Sequence, residues 1–228
     1  GNITTPSSFT HNAWVSDDGN YVFTTDEVSD AYIGSYDISD LNNIQEVDRI
    51  QSNPGSNSIP HNTHVDGNFI ITSYYRDGTV VHDITNPHNL IEVAHYDSSP
   101  LSGDGFDGCW GTYPFLPSGN IISSDINSGN NNNGRLLIYS RDFLQACYLE
   151  GNVSDITNSN PITNATVEIL NSVLTVQTST DLSGNYMTGI ANSSSYDIVF
   201  SAPGYLSDTI NATFSNGNTT IVNSQLQP

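Results

Sequence analysis

Two phrases fifty positions apart constrain this chain more than anything else in it: His11-Asn12-Ala13-Trp14-Val15 and His61-Asn62-Thr63-His64-Val65. Each opens the same script. A DG turn follows, at Asp18-Gly19 and at Asp66-Gly67, and then an alternating apolar run, Tyr21-Val22-Phe23-Thr24-Thr25 and Phe69-Ile70-Ile71-Thr72-Ser73. A second run ends in an Asp-Ile pair, Asp37-Ile38 and Asp83-Ile84. The copies close on Ile44-Gln45-Glu46-Val47 and Leu90-Ile91-Glu92-Val93. A partial third copy leads from Trp110 to Phe115 into a turn at Pro117-Ser118-Gly119. It continues through Ile121-Ile122-Ser123-Ser124 and Arg135-Leu136-Leu137-Ile138-Tyr139, with a Gly/Asn-rich insert, 129–134, between those two runs.

Period-two alternation places one face of each run on a core, and DG between two such runs is a strong hairpin signal. Helical periodicity is absent. A repeat of roughly 45–50 residues with three to four short strands predicts a β-propeller blade, a twisted sheet that stacks on its neighbours around an axis. Three blades do not close a ring, which takes roughly four to eight. The rest are therefore expected in a longer chain or, as the less favoured option, in another chain.

Charge then narrows the partners. The chain has no lysine; Arg49, Arg76, Arg135 and Arg141 stand against 24 acidic residues, for a net charge of -20. Nucleic acid is excluded, because phosphate binding needs clustered cations, and so is docking on an anionic membrane by charge alone. Self-repulsion keeps such a surface soluble. No run of eighteen apolar residues spans a bilayer, and no signal peptide opens the chain. Asn, Ser and Thr supply the surface polarity, as in extracellular β-proteins. The two cysteines, Cys109 and Cys147, fit either a disulfide in an oxidising compartment or two isolated buried thiols. Neither has metal-type spacing.

The phrases Thr10–Trp14, Phe23–Glu27, Ile59–Val65, Ser73–Tyr75, Trp110–Gly119 and Ser124–Ile126 together resemble the choice-of-anchor B family of secreted bacterial proteins with LVIVD-type propeller repeats. The resemblance runs over residues 9–143. It implies a secreted or surface-exposed propeller and brings no catalytic residue; the family's N-terminal blades are missing. Past residue 148 the character changes. Asn160-Pro161 starts a turn, Asp181-Leu182-Ser183-Gly184 closes a hairpin, Tyr196–Phe200 alternates, and Pro203-Gly204 ends that run. Turn clusters every eight to twelve residues predict a β-sandwich. These phrases resemble the carboxypeptidase regulatory-like family, a transthyretin-like sandwich that commonly serves bacterial surface proteins as a spacer. The expected organisation is all-β: propeller blades over 1–147 and the sandwich over 148–228.

Repeat logic gathers one set of side chains at one channel mouth. His11 and His61 begin the innermost strands of adjacent blades, Asp26-Glu27, Tyr74-Tyr75 and Asp125 follow second strands, and Trp110 stands near the His position of the third copy. Imidazole and carboxylate together suit a metal or small ligand, an ion there being calcium or a transition metal. The alternative is structural: His-Asn pairs that hydrogen-bond backbone across blades. His11 with His61 is the better ligand pair, because His64 points away from His61. Asp125–Asn130 faintly resembles a calcium loop but lacks the closing glutamate. His82, His88 and His95 are expected on solvated outer strands or turns. No Ser-His-Asp order, GxSxG, HExxH or phosphate loop is present, so no catalytic residue is assigned. Six sequons, at Asn2, Asn152, Asn164, Asn192, Asn211 and Asn218, and an Asp-Thr-apolar motif at Thr209 offer sites for surface sugars. The sequence thus reads as a surface protein, structural or adhesive, whose partners are other surface proteins, copies of itself or glycans. A metal- or ligand-binding propeller is the second reading and an enzyme the last.

Overall fold

The computed structural model describes residues 1–126, 134–172 and 176–228. The chain divides into two compact units, Gly1–Phe143 and Leu144–Pro228. Both are all-β. Among the described residues the one helical segment is a single 3₁₀ turn at Tyr75–Asp77, and no helix is long and apolar enough to cross a membrane.

The first unit holds three antiparallel meanders. In the first, β1 (Thr10–Val15), β2 (Tyr21–Asp26), β3 (Ile33–Asp37) and β4 (Gln45–Ile50) pair in chain order. The second repeats this with β5 (Thr63–Asp66), β6 (Phe69–Tyr74), β7 (Gly78–Asp83) and β8 (Ile91–Tyr96). The third pairs β9 (Gly108–Tyr113), β10 (Ile121–Ile126) and β11 (Arg135–Tyr139). The DG turns join the first two strands of the first two sheets, with Gly19 and Gly67 at φ 74° and 60°, which a side chain would oppose.

Repeat equivalence extends to the irregularities. The ladder between third and fourth strands slips by one residue at Val47 in the first sheet and at Val93 in the second, and these are matching positions of the repeat. The second sheet is buried on both faces. Ile70 and Val80 join Phe23 and Ile33 of the first sheet in one apolar cluster, while Ile71 and Val81 join Ile121 of the third in another. Alternation along β6 therefore serves two interfaces. Polar bonds cross these interfaces too. Asn12 Oδ1 accepts the Thr63 N–H at 3.0 Å, Asp48 Oδ2 accepts the Leu90 N–H at 2.6 Å, and the Thr79 and Ser123 hydroxyls meet at 2.7 Å.

The second unit runs β12 (Cys147–Asp155), β13 (Thr166–Ile169), β14 (Val176–Ser179), β15 (Asn185–Ile190), β16 (Ser195–Ser201), β17 (Asp208–Thr213), β18 (Thr219–Ile221) and β19 (Ser224–Leu226). One sheet is built on β12, which pairs antiparallel with β15 and parallel with β18 and then β19. The other has the order β14-β13-β16-β17. Their inner faces close over a single core that includes Leu149, Val153, Val167, Ile198, Phe200, Phe214 and Leu226. Gly151 lets β12 and the chain after β18 meet: a Cβ there would stand 1.8 Å from the Val222 carbonyl.

The cysteines take one of the two alternatives the sequence leaves open, and the expectation for His82 is corrected. Cys109 and Cys147 are free, buried thiols, one in each unit, and form no disulfide. His82 is not solvated: it lies on β7, the third strand of a sheet covered on both faces, and is fully buried. His88 and His95 are exposed, as expected.

Candidate functional site

The site grows out of one structural irregularity repeated three times. In the first sheet Thr10 pairs with Asp26 and Asn12 with Thr25, so His11 is an extra, unpaired residue. In the third sheet Gly111 pairs with Ser124 and Cys109 with Asp125, which leaves Trp110 unpaired in the same way. In the second sheet His61 and Asn62 share Ser73: the His61 N–H donates to the Ser73 carbonyl, and the Ser73 N–H donates to the Asn62 carbonyl. Bulges of this kind re-aim side chains, and here they aim three rings at one place. His11 and His61 stack with centroids 4.6 Å apart, and Trp110 lies 5.3 Å from His61.

Glu27, just past β2, joins them. Its carboxylate lies 3.1 Å from His11 Nδ1 and 3.5 Å from His61 Nε2. Tyr75, just past β6, donates its hydroxyl to Glu27 Oε1 at 2.7 Å. Thr25, two residues before Glu27 and so on the same side of its strand, donates its hydroxyl to the His61 carbonyl. Phe106 packs edge-on against Tyr75 at 5.3 Å. Gly108 permits this closeness: it sits at φ 95°, and a Cβ would come within 2.2 Å of the Tyr75 carbonyl.

The electrostatics follow from burial. His61 is 4% exposed, and desolvation pulls its pKa below the usual histidine value; the Trp110 carbonyl and Glu27 oppose that pull and His11 adds to it. The neutral ring is thereby favoured. Its Nδ1 meets the Trp110 carbonyl at hydrogen-bonding distance. A carbonyl only accepts, so Nδ1 carries the proton and Nε2 presents a lone pair. The Asn62 amide, 3.0 Å from the same Nδ1, cannot donate to that tautomer. The shorter Trp110 contact, with a partner of unambiguous polarity, decides the assignment. Burial, then the Glu27 carboxylate, raises the Tyr75 phenol and keeps it protonated.

Of the residues expected at one mouth, the structure brings together His11, Glu27, His61, Tyr75 and Trp110. Asp26, Tyr74 and Asp125 go elsewhere. Asp26 is buried and accepts the Ser7 N–H through Oδ2 at 2.7 Å. Tyr74 lies in the apolar cluster between the first two sheets and donates to the Ala31 carbonyl at 3.3 Å. Asp125 accepts the Ser98 hydroxyl. Strand alternation separates Asp26 from Glu27. The 3₁₀ turn beginning at Tyr75 separates it from Tyr74. His64 packs against Trp14 and Phe115, away from this cluster. Thr25 and Phe106 are additions that the repeat alone did not single out, although Thr25 is legible from its two-residue offset to Glu27.

The Asn127–Asn130 part of the calcium-like loop lies outside the described residues. Among the sugar-acceptor positions, Asn2, Asn164, Asn192, Thr209, Asn211 and Asn218 are exposed. Asn152 is half-buried, and its Nδ2 donates to the Ser183 carbonyl at 2.9 Å and to Asn185 Oδ1 at 3.0 Å; the amides of Asn211 and Asn218 are engaged as well, with Asp197 Oδ1 at 2.8 Å and the Asn216 carbonyl at 3.1 Å.

No curated protein matches the chain. Among solved structures, GBS52, the minor pilin of the Gram-positive pathogen Streptococcus agalactiae, is 15% identical over 50% of this chain and 62% of its own length, with a TM-score of 0.30. The group B streptococcus pilus 2b backbone protein is 12% identical over 99% of this chain and 83% of its own length, with a TM-score of 0.31. Superpositions that loose do not amount to a shared fold. The second unit is different: residues 148–227 match the carboxypeptidase regulatory-like domain family.

Proposed function

We propose that this chain belongs to an extracellular surface protein that binds rather than catalyses. In this reading the three meanders are blades of a propeller, the bulged ends of their first strands form its ligand-binding mouth, and the carboxypeptidase regulatory-like domain is a spacer or assembly module. One observation carries it: repeat-equivalent bulges in three successive sheets deliver His11, His61 and Trp110 to one spot, ringed by Glu27 and Tyr75. The sheets support the blade reading because each pairs its strands in chain order, four in the first two and three in the third, and because the middle sheet is buried on both faces. The secreted location rests on the choice-of-anchor B phrases and on a polar, lysine-free composition.

Glycans are the ligand class the mouth fits best. Phe106 and Trp110 are 60% and 49% exposed beside a carboxylate and a phenol, and a wet aromatic face with polar neighbours is how sugars are commonly held. The test is a glycan array probed with the purified protein and with Trp110→Ala. Selective signals from the wild type that drop at least tenfold in the variant are expected. An array silent to the wild type, or one that the variant reads equally well, would overturn the glycan assignment. Protease added to intact cells should remove the chain while sparing a cytoplasmic marker; a fully protected chain would overturn the surface location.

A further inference from the structure

We propose that His11, Glu27 and His61 bind a divalent transition-metal ion of the zinc class, and that this ion pins the first two sheets together. Among the described residues this is the one group of three His, Cys, Asp or Glu side chains whose donor atoms all lie within 4.8 Å of one another. A tetrahedral ion with bonds of about 2.0–2.1 Å needs donors about 3.3 Å apart. Two contacts already have nearly that spacing, His11 Nδ1 to Glu27 Oε2 at 3.1 Å and His61 Nε2 to Glu27 Oε1 at 3.5 Å, and a turn of the carboxylate would bring one oxygen to both. The third spacing closes by tilting His11, whose side chain is one-third exposed and whose ring is inclined 24° to that of His61.

The stronger argument is the direction of the lone pairs. With Nδ1–H given to the Trp110 carbonyl, His61 Nε2 faces Glu27 Oε1, and that oxygen already accepts a hydrogen bond from Tyr75. Two acceptors therefore face each other at a buried ring with no donor between them, an arrangement that costs free energy until a cation fills it. A histidine whose far nitrogen donates to a backbone carbonyl is also the usual posture of a metal ligand, because that bond fixes tautomer and ring orientation. Among the described residues no arginine pairs with the Glu27 carboxylate; Arg76 is engaged with Asp107, Arg49 with Glu46 and Arg141 with Asp66. Two imidazoles and one carboxylate suit zinc, cobalt or nickel. Calcium, which takes six to eight oxygens, does not fit, so the calcium option raised by the sequence is dropped for this cluster. Three protein ligands leave a fourth position open on the exposed His11 side for water or for a donor atom of a bound molecule.

A proton on His61 would also relieve the facing lone pairs, so the experiment must read the metal itself. The purified chain, stripped with chelator, is titrated with cobalt(II) chloride and separately with zinc chloride. The expected result is one ion per chain, visible bands of tetrahedral intensity with cobalt, and a higher melting temperature with zinc. His11→Ala and Glu27→Gln should each weaken zinc binding by at least roughly a hundredfold, since even the loss of a supporting partner costs about ten- to a hundredfold. His88→Ala, on the exposed surface, should match the wild type. No stoichiometric ion in the wild type, or binding that His11→Ala and Glu27→Gln leave intact, would overturn the proposal. The outcome is independent of the glycan array, because it concerns the chain without any sugar.

Discussion

The two units bury different chemistry. The sandwich has one apolar core, and none of the six histidines lies in it. In the first unit the apolar core is split into two clusters between successive sheets. Polar groups fill the rest: Thr25, Asp26, His61, Thr63, Ser73, His82, Asp83, Ser123 and Asp125 are all less than 5% exposed. The difference follows from how each surface is closed. Two sheets that face each other once can devote their inner faces to aliphatic and aromatic side chains. A sheet covered on both sides also brings its strand ends and irregular backbone into the interior, and those polar groups must be hydrogen-bonded there. Stability in the sandwich should respond to volume, and stability in the sheets of the first unit to polarity and pH.

The largest expected effect tests the first half of that contrast. Phe200 is fully buried, lies 5.8 Å from Tyr186 across the sandwich and packs in its single core. Phe200→Ala should cost the second unit about 3–5 kcal/mol. Calorimetry should show the transition of the second unit falling steeply while that of the first stays in place. A matching fall in both transitions would mean that the two units unfold as one, and the comparison would collapse.

The next effect is specific to the first unit. His82 is completely buried and neither ring nitrogen has a hydrogen-bond partner among the described residues; burial lowers its pKa from 6.5 to about 4, against a smaller opposing pull from Glu92, 3.9 Å away. The folded state therefore favours the neutral ring. Its contribution is fully present above the unfolded value of 6.5 and is lost as pH falls toward 4, because the unfolded chain takes up the proton first. The loss amounts to about 3 kcal/mol across that window, at about 1.4 kcal/mol per unit. His61 and His64, also lowered by burial, act in the same direction. Asp48 and Asp77, raised by burial, and His95, raised by Glu92, act in the opposite one. A single substitution separates the His82 contribution from these. Between pH 7.5 and 4.5 the first unit of His82→Leu should gain on the wild type by that amount. The second unit should hold steady throughout, since its lowered carboxylate, Asp155, loses its contribution only as pH falls through the acid range below 3.8. A wild-type-to-variant gap that does not change with pH would refute the assignment to His82.

How much of this could be read beforehand depends on whether the sequence repeats it. The pairing of His11 with His61 followed from one phrase occurring twice, and the stack at 4.6 Å agrees with it. Matching slips at Val47 and Val93 show how far that equivalence extends. Adjacent residues were the weak point. Asp26-Glu27 and Tyr74-Tyr75 each entered the site as a pair, yet successive side chains on an extended strand point to opposite faces, so one of each pair was bound to leave. His82 was misread because an alternating run does not say whether its strand is inner or outer. That depends on the sheet packed against it: His82 pairs with Ile70 on the face that meets Phe23 and Ile33 of the first sheet, far earlier in the chain. Asp125 pairs with Cys109 just past the bulge at Trp110, as Asp26 pairs with Thr10 just past the bulge at His11, so it stands where Asp26 stands and leaves the site with it. The asparagines of the repeated phrase also diverge. Asn12 reaches the Thr63 N–H of the next sheet, whereas Asn62 stays beside His61.

The smallest effect expected is none at all, and it gives the comparison a separate clock for each unit. Cys109 is buried in the first unit beside the Thr79 hydroxyl, 3.4 Å from its sulfur, and Cys147 is buried in the second. No bond joins them, so a reducing agent should leave both melting transitions unmoved; a fall in either would show that a disulfide forms in solution. Burial pushes the Cys109 thiol up to about 11 and the Cys147 thiol in the same direction. Since the thiolate is the reacting species, each sulfur should label only when its own unit opens. Mass spectrometry of the labelled chain then times the two openings separately. Lowering the pH of an incubation before labelling from 7.5 to 5 should speed modification of Cys109 in the wild type more than in His82→Leu, and leave Cys147 unchanged. Equal rates at both sulfurs under every condition would show one cooperative unit where the differing cores require two.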